Sequence, residues 1–352
     1  LPLIESADLS FTNLECSLTN HNQAINKSGP ALKANPDCVE VLKPFSVVGL
    51  ANNHILDYGK QGLEDTLAAC EKAGLPTIGA GLDITQAQQP FIQEVKGVKI
   101  AIIAIAEHEF NQSENGGAGS APIDPIDNYQ QIQQAKAQAD IVIVTLHGGN
   151  EYFPYPRPGL RKLCKHFVDL GVEAVICHHP HVPGVYEYCQ GKPIVYSLGN
   201  FIFDVAKTPK DWELGYMAQL NFSAENKQLV SMALIPYKQS VELGGIQLLH
   251  NQEKIDFLGR IETYRQNMEN HQAWLQEWEG FISKQSNGYI FRQYFPAIKR
   301  GKGFISRKFP FIGKLLFSNI NADLDKLNML RCQSHQELLT AVLESKSQPR
   351  ND

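Results

Sequence analysis

A helix followed by a buried strand that ends in histidines constrains this chain more than anything else in it. Leu160, Leu163, Cys164, Phe167 and Val168 recur at i, i+3, i+4, i+7 and i+8, the spacing of one apolar helix face, and Leu170-Gly171 closes it. Ala174-Val175-Ile176 then reads as a buried strand, with Cys177-His178-His179-Pro180-His181 at its C-terminal tip. Open α/β sheets place their ligands at that end of their strands. In an extended tip, residues two apart point the same way, which predicts that His179 and His181 converge while His178 turns aside. Two neutral imidazoles aimed at one point form half of a transition-metal site. The plainer alternative is a surface loop with satisfied histidines.

The same alternation runs from Asp8 to about Asn200. Asp8–Asn13, Ser46–Leu50, Thr77–Gly79, Val98–Ala106 and Asp140–Leu146 read as strands. Lys60–Ala73 reads as a helix through Leu63, Leu67 and Cys70, and Tyr129–Ala139 as another. Residues 107–125 hold Gly116-Gly117-Ala118-Gly119-Ser120 and two prolines and read as a loop, mobile by its composition. This order predicts a largely parallel sheet covered by helices. After Lys192, Ile194–Phe203, Tyr216–Phe222 and Leu229–Tyr237 read as further strands joined by polar turns, and beyond about Asp256 the chain turns helical and aromatic. A main domain over 1–250 and a helical extension over 251–352 are expected.

The formal net charge of -5 argues against a globally basic nucleic-acid binder. Seven cysteines without CxxC spacing, several of them at apolar positions (Cys70, Cys164, Cys177), point to buried free thiols and a reducing compartment. No apolar run is long enough to span a membrane. The expected location is cytoplasmic or peripheral at a membrane. The chain opens on Leu1, and Ile4–Asp8 reads like the middle of a domain, so an upstream N-terminal strand is expected.

Four strand tips carry polar clusters. They are Thr12-Asn13-Leu14-Glu15, Ala51-Asn52-Asn53-His54 with Asp57-Tyr58-Gly59, His147-Gly148-Gly149-Asn150-Glu151-Tyr152, and the histidine run. Each alone has a bland reading as a turn or helix start. A parallel sheet brings its tips to one edge, so all four are expected to meet. Carboxylate, amide oxygen and imidazoles together suit Zn, Mn or Fe, and two such ions about 3.5–4 Å apart can clamp a phosphoryl group. Glu151 reads as a general base, as a support for the second nitrogen of His147, or as a helix-start residue near Pro154, Pro156 and Pro158. Asn200 reads as a substrate contact or a turn residue.

Asn13-Leu14-Glu15, Ala51-Asn52-Asn53-His54-x-x-Asp57-x-Gly59, His147-x-Gly149-x-Glu151-Tyr152, His179-Pro180-His181 and Tyr196-Ser197-Leu198-Gly199-Asn200-Phe201 resemble the ordered motifs of the capsule-biosynthesis CapA family, within the calcineurin-like metallophosphoesterase superfamily. The likeness covers roughly residues 1–240. It implies a four-layer α/β/β/α sandwich with two divalent transition-metal ions. By the same resemblance, Glu15, Asn53, His147, His179 and His181 are metal ligands and His54 is the catalytic imidazole. Asn13, Asp57, His178 and Asn200 then lie beside substrate or behind the ligands, with His178 standing where the superfamily has glycine. One departure is clear: the superfamily's first-strand metal-binding Asp has no counterpart, since Asp8 opens the following strand. Either that strand lies upstream or the site is degenerate.

The resemblance implies a phosphoesterase-like hydrolase connected with capsule or other surface-polymer assembly. An amidase on a γ-glutamyl polymer and a catalytically silent polymer-binding scaffold are the alternatives. The expected substrate is an anionic polymer or phosphoester. From Gly280 to Ala322 eight basic residues stand among aromatics without one acid: Lys284, Arg292, Lys299, Arg300, Lys302, Arg307, Lys308 and Lys314. That segment (280–322) suits peripheral contact with an anionic membrane, or a helical cap that packs its aromatics inward. Arg331-Cys332-Gln333-Ser334-His335 is given no chemistry.

Overall fold

The computed structural model describes residues 2–113, 116–203, 209, 211–240, 244–294 and 320–347. At its centre is a six-stranded sheet in the order Tyr186–Cys189, Lys192–Val195, Ala174–His178, Ile141–His147, Val98–Ala106, Phe91–Val95. The inner four strands are parallel and both edge strands antiparallel. Val98–Ala106 and Ile141–His147 are nearly unbroken apolar runs because both faces of their sheet are covered.

Alternation along these strands sorts the two faces. Ile103, Ile105, Val142, Val144, Leu146, Val175 and Cys177 pack under the helices Pro125–Lys136 and Pro158–Asp169, with Ile132, Ala135, Leu160 and Phe167. Ile102, Ala104 and Ala106 face Val47, Ala51 and Ile78 of a second, parallel sheet ordered Phe11–Asn13, Val47–Gly49, Thr77–Ile78. Helix Gly59–Lys72 covers that sheet's outer face through Leu63 and Cys70 against Val48 and Leu50. These are the four layers α/β/β/α. The two sheets approach closely at Gly79, where φ is +86° and a Cβ would stand 2.6 Å from that of Ala104.

The rest of the chain extends this sandwich. An antiparallel sheet, Leu214–Phe222, Leu229–Ser240 and Gly245–Leu248, shares a core with Ile176, Val195 and helix Asn251–Glu269. Trp274, Trp278 and Ile282 of helix His271–Tyr294, with Met329, Leu338 and Val342 of the last two described helices, join the core beneath the six-stranded sheet. Phe281 packs there too, stacked on Phe153 at 4.4 Å. The basic residues Lys299, Arg300, Lys302, Arg307, Lys308 and Lys314 lie outside the described residues. Among the described residues, no helix is long and apolar enough to cross a membrane. All seven cysteines are free, with Cys70, Cys164 and Cys177 buried as expected.

Three local expectations need correction. The helix expected from Tyr129 starts at Pro125, because Asp124 caps it by accepting from the Ile126 amide and Pro125 needs no amide partner. The strand expected over Ile194–Phe203 stops at Val195, and Gly199, at φ +75°, turns the chain so that Asn200 swings inward. The loop after Val98–Ala106 is held at its start: Asn111 donates to the Glu107 carbonyl and to Ser120 Oγ, and Gly119–Ser120 pairs with Ala80–Gly81.

Candidate metal centre

Register explains why the tips meet. His147 sits opposite both Ala106 and His178, so three strand ends lie side by side. Asn13 sits opposite Gly49 in the facing sheet, which puts Glu15 and the Asn52–Asp57 turn across from them. Glu15 Oε1 stands 3.5 Å from His147 Nε2 and 3.6 Å from His181 Nε2. Asn53 Oδ1 is 3.0 Å and His179 Nδ1 3.2 Å from the same His147 Nε2. Glu15, His147 and His179 thus place one ligand atom each within 4.8 Å of one another, with Asn53 Oδ1 beside His147 and His181 Nε2 beside Glu15.

That cluster is crowded with acceptors. Glu15 Oε1 is buried and has no hydrogen-bond partner among the described residues. Burial pushes the Glu15 carboxyl well above its usual range, and the charges of Glu151 and Glu109 add to the shift. Burial likewise holds His147 and His179 well below the usual imidazole value and takes His181 to about 4, so all three rings are neutral. Neutral imidazole is the ligand form. Two ligands bound at about 2.1 Å and set at a tetrahedral angle stand about 3.4 Å apart, close to the spacings seen here. The residues fit a divalent cation.

The histidine tip is not extended. The strand ends at His178, and His179 and His181 take φ values of 103° and 60°, in the left-handed region on either side of Pro180. Side chains without a glycine's freedom cost about 1–3 kcal/mol each in such backbone. The two rings converge through this strained turn and not through strand alternation. His178 does point away, its ring 5.8 Å from that of Phe11 between the two sheets, where burial takes it to about 4.

Neighbouring polar groups orient the cluster. His181 Nδ1 donates to Asn200 Oδ1 at 2.9 Å, which leaves Nε2 facing Glu15. Asn200 spends its own amide hydrogens on the carbonyls of His181 and Trp212, so it positions a histidine and has no hydrogen left for substrate. Asp57, buried, accepts from His54 Nδ1 at 2.6 Å, from Lys27 Nζ at 2.5 Å and from the Leu32 amide at 2.6 Å. Burial lowers the His54 pKa, and the bond to Asp57 works against that shift. Glu151 is exposed on the turn after the His147 tip. It does not support His147, whose Nδ1 has no hydrogen-bond partner among the described residues. Asn13 is half-buried at the end of its strand, and Asp8 lies far off, paired with Lys96 at 2.8 Å.

Sequence reasoning missed several residues here. Glu107 and Glu109 follow the tip of Val98–Ala106, a fifth strand end that the same rule would have included. Glu109 Oε1 accepts from Asn53 Nδ2 at 3.4 Å, and burial pushes its pKa up to about 7. Glu107 pairs with buried Arg157 at 2.6 Å. Lys27, from a polar loop, carries no local signal. Cys332, from the turn between the last two described helices, and His335, from the second of them, place one ligand atom each with Glu109 within 4.8 Å of one another.

Fold and site together define a four-layer α/β/β/α protein whose strand tips build a centre of metal-ligand type between two sheets. The family described as Bacterial capsule synthesis protein PGA_cap matches residues 1–205, and the chain belongs to that family. It is 36% identical over 211 residues to the PGA biosynthesis protein CapA of Bacillus subtilis, covering 58% of this chain and 55% of that protein. A probable polyglutamine synthesis accessory protein of Mycobacterium tuberculosis is 30% identical over 214 residues, 56% of each chain. The chain thus spans about half the length of the curated relatives it matches. Among solved structures, a hypothetical protein from Thermus thermophilus aligns with TM-score 0.45 at 15% identity, over 68% of this chain and 91% of that one. A putative 5'-nucleotidase from Staphylococcus aureus aligns with TM-score 0.42 at 15% identity, over 66% and 48%.

Proposed function

We propose that this chain is a metal-dependent hydrolase of phosphoester type that serves capsule or surface-polymer synthesis. The observation that carries the reading is the convergence of Glu15 Oε1, Asn53 Oδ1, His147 Nε2, His179 Nδ1 and His181 Nε2 beside a separately held imidazole. A divalent ion bound there supplies Lewis-acid polarisation of a phosphoryl or carbonyl oxygen. The chain's own residues do the rest. Asp57 fixes the His54 tautomer with hydrogen on Nδ1, so the proton that moves is at Nε2. Burial starts His54 neutral, and an anionic substrate beside it favours the protonated ring. His54 thus takes up its proton with the substrate and gives it to the leaving oxygen. Lys27 Nζ, 2.5 Å from Asp57 Oδ1 and 3.3 Å from His54 Nδ1, holds the Asp57 carboxylate in place for this task.

The names of the relatives, PGA biosynthesis and polyglutamine synthesis, favour a second reading: hydrolysis of an amide in a γ-glutamyl polymer. One experiment separates the two and tests both. The metal-loaded chain is incubated with a phosphoester and with a γ-glutamyl polymer, and released phosphate and glutamate are measured. His54→Asn should keep its metal and lose about 10²-fold in turnover on the true substrate. A chain that binds no metal and releases neither product is a scaffold, and the hydrolase reading then fails.

A further inference from the structure

The turn that joins helices Ile320–Arg331 and Gln333–Ser347 is fastened onto the strand tips. Gln333 Oε1 accepts from the His108 amide at 2.9 Å, and the Ser334 carbonyl from Asn150 Nδ2 at 3.5 Å. Glu337 takes Arg157 Nε at 3.0 Å and the Gly159 amide at 2.6 Å. Cys332 Sγ, buried, lies 2.9 Å from Ser334 Oγ and 3.7 Å from Glu107 Oε2. The contacts to the strand tips span between 178 and 225 residues of sequence. They hold a thiol and an imidazole, Cys332 and His335, against Glu109, with the three ligand atoms within 4.8 Å of one another.

We propose that Glu109, Cys332 and His335 form a second cation site, and that zinc is the ion it suits. Thiolate, imidazole and carboxylate are the ligand set zinc takes, and three protein ligands leave a fourth position open. The site shares no ligand with the cluster of Glu15, His147, His179 and His181. It adjoins that cluster through Asn53, whose Nδ2 faces Glu109 and whose Oδ1 faces His147. Cys332 and Glu109 are both buried, and a divalent cation bound there would be balanced by their thiolate and carboxylate. The inference extends the metal-centre reading above, yet its test depends on sulfur ligation and not on turnover.

The chain is loaded with Co(II) as a spectroscopic stand-in for zinc. A sulfur-to-cobalt charge-transfer band in the near ultraviolet is expected, since only a thiolate ligand gives one. Cys332→Ser should remove the band and about one bound ion per chain. Glu109→Gln, which preserves the buried shape, should keep the fold and weaken the band-forming site by at least about 10-fold. His147→Ala should lose the other ion and retain the band. No band in the wild-type chain overturns the proposal, as does a band that survives Cys332→Ser or that Glu109→Gln leaves at full affinity. Loss of the band in His147→Ala overturns it as a separate site. Loss of the ion in His147→Ala with the band unmoved leaves this site standing whatever becomes of the hydrolase reading.

Discussion

Two carboxylates beside the same six-stranded sheet are treated in opposite ways. Glu187, on the edge strand Tyr186–Cys189, receives Arg161 through two nitrogens at 3.0 and 2.8 Å, Lys165 at 3.1 Å and the Tyr196 hydroxyl at 2.7 Å. Burial pushes its pKa up, but the bonds from Arg161 and Tyr196 outweigh that and hold it below the usual range. Glu15, at the tips, meets imidazole nitrogens and has an oxygen with no hydrogen-bond partner among the described residues, so burial wins. The first arrangement is complete within the protein. In the metal-centre reading proposed above, a cation completes the second. That difference separates structural from functional charge better than burial does, since both residues are largely covered.

The largest expected effect breaks the comparison at its functional end. His179→Ala should weaken metal binding by about 10³-fold or more, because one of a few strong ligands is lost. Competition with a chromophoric chelator measures this, and an unchanged affinity would remove His179 from the ligands. Next in size is a pair of variants with opposite signs. Glu187→Gln should lower stability in urea by about 1–2 kcal/mol, a buried-pair loss discounted for partial exposure. Glu15→Gln in the chelator-treated chain should leave stability unchanged or raise it by about 1 kcal/mol, since it removes a carboxyl whose ionisation burial opposes. A comparable loss in both variants would erase the distinction.

The smallest effect is in pH dependence. Glu109 is raised from 4.5 to about 7, so in the metal-free chain its ionisation opposes folding. Wild type and Glu109→Gln should match below about pH 4.5, and wild type should fall behind as pH rises through 7. The Glu187 contribution has the other slope: present above about pH 4.5 and lost on acidification through its lowered pKa. Thermal unfolding in chelator across pH 4 to 8 reads both.

Much of the centre was legible in advance because it lies at strand ends. Val98–Ala106 is called to the residue by its apolar run, and the helix Pro158–Asp169 by its period. Asn53, His147, His179 and His181 stand at the tips of strands whose apolar runs announce them. What failed was local backbone detail. A turn with two histidines at positive φ looks, in sequence, like an extended tip, and Tyr196–Phe203 looks like strand until Gly199 bends it. Asn200 showed that it belonged near the site, yet whether it faced substrate or His181 depended on which hydrogens the Trp212 carbonyl would claim.

Layer order, strand polarity and the edge at which polar residues gather were written in the chain itself. Periodicity and apolar runs act over a few residues, and a parallel sheet sends all its carboxyl ends one way. Long-range packing alone decided that Lys27 reaches Asp57, that Glu109 leaves its loop for Asn53, and that Cys332 and His335 return to the first half of the chain. Those contacts join residues whose neighbours in sequence say nothing of each other. They exist because covering the apolar underside of the sheet with the C-terminal helices carries one polar turn onto the strand tips.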